Sequence, residues 1–222
     1  MKSTQFLYLV IGILSANSAC EAKQDAPETF KITLGDYSHV FNVVTPKGNG
    51  NVKIVYVPDF SDNYTMGDAA TKALIQKMPQ DLITQIEAVV MPGDKANMMG
   101  TLLYQGIAHK RTQSDSGSTE FVILRSAEKG QIENSVTYDS ITGGNKTLNI
   151  REDQGKRIKG KKILLFDDVV SSGGTLKAAK DLAEKYGCEV LAVACIGTEG
   201  TPRDTFEGKP LFYLTHVPVW TK

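Results

Sequence analysis

The run Ile163 to Leu176, ILLFDDVVSSGGTL, places two adjacent carboxylates, Asp167 and Asp168, after an apolar strand-like segment, and Ser171 to Thr175 then open a helical pattern. Each residue type has a chemical use. Glycines let backbone N–H groups turn inward, the hydroxyls of Ser171, Ser172 and Thr175 add donors, and a helix start presents its positive end. Such a loop wraps a phosphate without needing a lysine. Two carboxylates beside it accept hydrogen bonds from a vicinal diol, or hold hydrated magnesium. A ribose 5-phosphate satisfies both halves of the pattern.

Simpler readings explain less. A helix N-cap accounts for SSGGT alone but not for the acidic pair before it. Phospho-acceptor receiver domains also carry an acidic pair after an apolar strand, but near the domain's start and without SSGGT behind it. No GxxxxGK[ST] occurs and no GxGxxG opens a helix after a strand, so triphosphatase and dinucleotide readings have no residues to stand on.

These residues resemble the signature with which type I phosphoribosyltransferases bind 5-phosphoribosyl-1-pyrophosphate (PRPP), and the resemblance runs from about Ile86 to the C-terminus, with the adenine and xanthine enzymes most similar. It implies that Asp167 and Asp168 are catalytic and hold the ribose hydroxyls, and that Asp168 also faces oxocarbenium-like charge. It further implies a PRPP-binding span of Asp167, Asp168, Val169, Val170, Ser171, Ser172, Gly173, Gly174 and Thr175, with the 5-phosphate on Ser171 to Thr175. The turn MPGDKANMMG resembles the family's pyrophosphate loop through Asp94 and Lys95, with Lys95 where adenine enzymes carry arginine and Ala96 where they carry glycine. A lysine there keeps the charge but loses the fork. In ILRSAEK, Arg125 and Lys129 match a basic pair expected to reach the pyrophosphate, while Ser126 and Ala127 replace neighbouring basic positions.

Near the base the resemblance implies two positions. Thr142 stands in the register where adenine enzymes place a glutamate, and Glu199 in CIGTEG matches an acidic position after the last core strand. The implied reaction is displacement of pyrophosphate from C1 of the ribosyl group by a purine nitrogen, adenine ahead of xanthine or hypoxanthine. Magnesium accompanies PRPP, with no direct protein metal site, and the assembly implied is a homodimer. Thr142 and the thinned basic loop favour a second reading, a non-catalytic sensor of PRPP or a nucleotide with the same fold.

The elements that must position these residues follow from periodicity. FKITLG, VFNVVT and NVKIVYVPDF read as three strands of a small β-rich flank, or hood, divided by GDYS and PKGNGN. Gly67 to Met78 has helical spacing and stops before Pro79. Strands at Glu87–Met91, Glu120–Leu124, Lys162–Phe166 and Glu189–Ile196 alternate with helices at Ala96–Ala108 and Thr175–Tyr186. Continuous apolar strands alternating with helices indicate a doubly wound, mainly parallel sheet, five-stranded in the type I phosphoribosyltransferase fold, with ligands beyond the carboxyl ends of the strands. SVTYDSI and KTLNI read as a hairpin in a flexible, Gly-rich excursion, and Leu211 to Trp220 as one last strand.

Bulk properties bound the rest. The 222 residues suit one domain, and 25 basic against 25 acidic side chains give no field for nucleic acid or anionic lipid. Phe30 to Met78 has neither a helix-turn-helix nor a basic face. Lys2, the apolar run Phe6 to Leu14 and the small residues that follow read as a signal peptide over 1–20, then a linker over 21–29 and the phosphoribosyltransferase domain over 30–222. The apolar run is too short to span a bilayer. Export to the periplasm or outside is the expectation, with cleavage after Ser18 or Ala19, or Cys20 as a lipidated first residue. A non-functional leader leaves the chain in the cytoplasm, where PRPP is made. Cys188 and Cys195 read as buried thiols, Met98, Met99 and Leu103 as core, and His39, His109 and His216 form no metal pattern.

Overall fold

The computed structural model of the protein describes residues 26–45, 50–56, 63–93, 97–126, 134–139, 145–200 and 202–221. Residues 1–20 with Cys20, and Asp94, Lys95, Lys129 and Thr142, lie outside the described residues.

Three strands come first: β1 (Thr29–Leu34), β2 (Tyr37–Val44) and β3 (Val52–Val55). Two helices follow, α1 (Tyr64–Lys77) and α2 (Gln80–Gln85), and then β4 (Ala88–Gly93), α3 (Asn97–Gln113) and β5 (Glu120–Ser126). The hairpin β6 (Ser135–Asp139) and β7 (Asn145–Asn149) leads through α4 (Glu152–Ile158) to β8 (Lys162–Val170), α5 (Gly174–Lys185) and β9 (Glu189–Glu199). Four short strands finish the chain: β10 (Thr205–Phe206), β11 (Lys209–Phe212), β12 (Thr215–Val217) and β13 (Val219–Thr221).

Parallel ladders join β5, β4, β8 and β9, and the fifth place is shared by β11 and β12, which both pair with the far edge of β9. The doubly wound, mainly parallel sheet is therefore present, extended by antiparallel β7 and β6 beyond β5 and by β10 beyond β11. The hairpin forms between the expected segments, with Val136 opposite Leu148, and Asn145, expected in the turn, is paired with Asp139. The tail departs from expectation. Instead of one strand it makes β11, β12 and β13, and β13 leaves the main sheet to pair with β3. Interruptions at 213–214 and at Pro218 break a segment whose alternation is too weak to hold one direction.

Strand composition explains the layering. In β8, Leu164 and Phe166 enter one core with α1, α3 and the hood residues Ile32, Leu34 and Phe41, while Ile163 and Leu165 enter the other with α5 and α4. A fully buried side chain of this size contributes about 1.5–3 kcal/mol, so a sheet apolar on both faces must be covered on both. The hood is thus continuous with one main core. Asn63 fastens it further: its side chain accepts from Met66 N–H at 3.0 Å to cap α1 and donates to the Tyr37 hydroxyl at 3.2 Å.

Two helices are not apparent from periodicity alone. α2 is a six-residue helix after Pro79. α4 is held by Gln154, whose side chain accepts from Arg151 N–H at 3.2 Å and donates to the Ile123 carbonyl at 3.3 Å. At the opposite end of the sheet from the loops described next, buried Arg111 donates to the carbonyls of Thr84, at 2.6 Å, and Ser116, tying the end of α3 to its neighbours.

Candidate functional site

Strand order makes one crevice. From β4 the chain passes to β5 on one side, then returns to β8 on the other, so the winding reverses between β4 and β8. Doubly wound sheets bind ligands at that reversal, beyond the strand carboxyl ends. Here the two strands also part: their ladder ends at Val90 opposite Leu165, while β4 stays paired with β5 to Gly93 and β8 with β9 to Val170. Asp167 and Asp168 lie on β8 just past the last shared rung.

The acidic pair sits where the strand loses its phase. Side chains on a strand alternate faces, yet Phe166 and Val169, an odd step apart, touch the same core, and Val170 joins the core of Leu165. A regular strand sends neighbouring residues to opposite faces, and the lost phase frees the two aspartates from that constraint. Each is fixed locally. Asp168 N–H donates to Asp167 Oδ1 at 2.9 Å, and Val169 N–H donates to Asp168 Oδ1 at 2.7 Å. Both residues are half-buried, open enough to meet a ligand.

The loop after them turns on Gly173, which takes φ +84° and is the N-cap of α5. A Cβ there would lie 2.3 Å from Phe206 Cε2, so glycine is required twice, by the backbone angle and by the ring behind it. Gly174 N–H approaches the Ser172 hydroxyl at 3.4 Å, and Lys177 N–H closes the first helical turn on the Gly173 carbonyl at 2.8 Å. Ser171, Ser172, Gly173, Gly174 and Thr175 are half-buried or exposed. A loop and helix start of this kind presents backbone donors to an anion.

Two of the remaining expected residues flank this crevice. Arg125 is exposed at the end of β5, its backbone opposite Gly93, and Glu199 is half-buried at the end of β9, opposite Val217. Strands lie roughly 5 Å apart, so Arg125 stands about two strand spacings from β8 on one side and Glu199 one on the other. Gly93, the last residue of β4, is fully buried, and a Cβ on it would lie 2.0 Å from Ile123 Cγ2. A larger residue there would collide with β5.

The described residues contain no group of three or more His, Cys, Asp and Glu able to cage a metal ion. Two adjacent carboxylates fit magnesium of a different kind, a hydrated ion held by one or two carboxylates and by substrate phosphates. Asp167 and Asp168 are the residues that would hold it.

Sequence reasoning missed three neighbours. Arg203 donates from Nη2 to the Ser171 carbonyl, Phe206 backs Gly173, and buried Thr198 shares a 3.1 Å hydrogen bond with His216 Nδ1 beside Glu199. None lies in a periodic segment, and TPRDTF reads as ordinary loop. Cys195 borders the same ground: burial first, then the charge of Asp167, raises its thiol well above the ordinary range, against a smaller opposing effect of Arg203. Cys188, whose thiol donates to the Ile158 carbonyl at 3.1 Å, is pushed up by burial to about 11.

These two thiols tie the stability of the fold to alkaline pH. Unfolding exposes them to release a proton at their ordinary pH, whereas the fold keeps them protonated, so the unfolded state binds fewer protons there. Stability is therefore complete below the ordinary thiol pKa and declines as pH rises from there toward 11, by about 1.4 kcal/mol per pH unit for each thiol. Urea unfolding between pH 7 and pH 10 should show the decline, with a shallower one in Cys188→Ala. A profile flat to pH 10 would contradict it.

Known proteins bear on this site. The family described as phosphoribosyl transferase domain matches residues 71–220. Adenine phosphoribosyltransferase of Agathobacter rectalis is 40% identical over 72 residues, 32% of this chain and 40% of that protein. Hypoxanthine/guanine phosphoribosyltransferase of Methanobacterium lacus is 38% identical over 95 residues, 41% of this chain and 46% of that protein. The chain thus spans less than half the length of these curated relatives. Among solved structures, adenine phosphoribosyltransferase from Thermoanaerobacter pseudethanolicus superposes with TM-score 0.61 at 16% identity, over 79% of this chain and 95% of that one. The Saccharomyces cerevisiae enzyme gives 0.57 at 17%, over 78% and 93%. At identities this low the superpositions show the shared fold alone.

Proposed function

We propose, from the premise that this chain belongs to the type I phosphoribosyltransferases, that it transfers the 5-phosphoribosyl group of PRPP to a purine base, adenine first, and releases pyrophosphate. The observation that carries the reading is the half-buried pair Asp167 and Asp168 at the β4/β8 reversal, followed at once by a Gly173-turned loop opening α5.

In this reading Asp167 and Asp168 accept hydrogen bonds from the two ribose hydroxyls, and donors from Ser171 to Thr175 hold the 5-phosphate. Those contacts fix C1 in line with the incoming nitrogen, and positioning of this kind lowers the barrier by removing the entropy of encounter. The C1–oxygen bond to pyrophosphate breaks as the C1–nitrogen bond forms, and Asp168 faces the positive charge that develops on the ring. Lys95, Arg125, Lys129 and Asp94 serve the pyrophosphate side, and Thr142 and Glu199 the base side. Magnesium, when bound with PRPP, supplies positive charge for the leaving oxyanions.

The test is turnover. The chain from residue 21 onward, given Mg2+ and PRPP, should release pyrophosphate and form a nucleotide with adenine faster than with hypoxanthine, guanine or xanthine. Saturable PRPP binding without turnover of any base would instead identify a sensor, the reading that Thr142 and the thinned basic loop favour. Failure of folded protein to bind PRPP removes both.

Homodimer formation and export directed by residues 1–20, with or without a lipid on Cys20, complete the proposal. Sedimentation checks the first. Fractionation of cells expressing the full chain, against one lacking residues 1–20, checks the second.

A further inference from the structure

Three contacts run from one short segment onto the phosphate-loop region. Arg203 donates from Nη2 to the carbonyl of Ser171, the first residue of the loop. Phe206, only 6% exposed, packs its ring against Gly173, where a Cβ would come within 2.3 Å. Glu207 stands 3.8 Å from Lys177, one turn into α5. The order is collinear: 203, 206 and 207 meet 171, 173 and 177. The segment is itself braced, because Phe206 pairs with Lys209 in the β10–β11 ladder and Leu211 N–H donates to the Asp204 carbonyl at 3.0 Å.

We infer that residues Arg203 to Glu207 form a strap that sets the shape of the loop holding the 5-phosphate, with Arg203 as its principal positioning residue. The inference deepens the proposed function and rests on it for the identity of the ligand. The physical reasons differ for each contact. A loop that binds an anion through backbone N–H groups must keep its carbonyls turned away, and a guanidinium on the Ser171 carbonyl does that at the loop's entry. The ring of Phe206 blocks the space behind Gly173, so the left-handed turn cannot move backward. The ion pair at Lys177 is exposed and contributes little, marking the end of the strap rather than its strength. Arg203 acts through Ser171 and is not assigned contact with substrate.

The test uses Arg203→Ala and Arg203→Lys in the chain from residue 21 onward, with two readouts. The first needs no ligand: hydrogen exchange of the Lys177 amide, which donates to the Gly173 carbonyl at 2.8 Å, should quicken at least tenfold in Arg203→Ala, while exchange of Leu164 to Phe166 in β8 stays as it was. The second is titration with ribose 5-phosphate and, separately, with inorganic pyrophosphate. Arg203→Ala should weaken ribose 5-phosphate binding at least tenfold and pyrophosphate binding less than twofold, and Arg203→Lys, which keeps one donor for the carbonyl, should recover part of the loss. Unchanged exchange at Lys177 overturns the strap whatever the protein binds. So does equal weakening of both ligands, which places the effect outside the phosphate loop. If the unaltered chain binds neither ligand, the phosphoribosyl reading fails and the exchange readout alone decides the strap.

Discussion

Replacing Asp167 and Asp168 together by asparagine should abolish nucleotide formation to below one part in a thousand and remove detectable PRPP binding, while the protein stays folded. The separation between folding and function follows from which atoms are used. Each aspartate uses Oδ1 to accept the next residue's N–H, and asparagine keeps a carbonyl oxygen for that bond. The strand's local geometry therefore survives. What disappears is charge. Hydrogen bonds to an ionised acceptor contribute about 1.5–3 kcal/mol each, against roughly 1 kcal/mol between neutral groups, and two diol contacts plus ring charge in the transition state combine to several kcal/mol. A factor of ten corresponds to about 1.4 kcal/mol, which gives the thousandfold scale. Calorimetric titration with PRPP and magnesium, alongside thermal unfolding, reads the two effects in one sample. Retained turnover in the double variant would remove Asp167 and Asp168 from the chemistry.

The second large effect is expected at Gly173. Gly173→Ala should cost about 1–3 kcal/mol from the left-handed backbone alone, and the Phe206 contact at 2.3 Å adds a collision that the 6% exposed ring cannot easily leave. The loop escapes by flattening, which turns its donors off the phosphate. Thermal unfolding should fall by several degrees, and the apparent affinity for PRPP by at least a hundredfold. Gly173→Ala combined with Phe206→Leu relieves the collision and leaves the backbone cost, so the double variant should regain stability more than affinity. Equal recovery of both would mean that the ring alone, and not the turn, demands glycine.

How much of this was legible in the sequence depends on range. ILLFDDVVSSGGTL is a contiguous run in which strand, acids, glycine turn and helix all obey local rules, and the structure places β8 and α5 within a few residues of the periodicity. Even there the strand continues to Val170 rather than stopping at Phe166, because pairing with β9 persists to Thr198 after the apolar run has ended. The strap was not legible. Arg203 meets Ser171 across 32 positions, and nothing in TPRDTF differs from a solvated turn until the fold brings the two together. The same holds for Thr198 and His216, joined across strands that pair only in the sheet. The tail reads as one strand because three-residue strands such as β12 and β13 carry too few alternations to reveal which sheet they join.

The pairing of β13 with β3 bears on the order in which the molecule can assemble. Val219 to Thr221 supply the outer neighbour of Val52 to Ile54, so the hood's sheet is stitched from segments at opposite ends of the described chain. Contacts of such long span form late, since the entropy of closing the loop is lost before the contact returns anything. A nascent N-terminal portion therefore holds β1, β2 and β3 with the outer edge of β3 uncovered until residues past Pro218 arrive. Until then that edge offers unpaired backbone groups to any other strand, so a chain cut before Val219 should pair with its own copies there and aggregate more readily than the full chain.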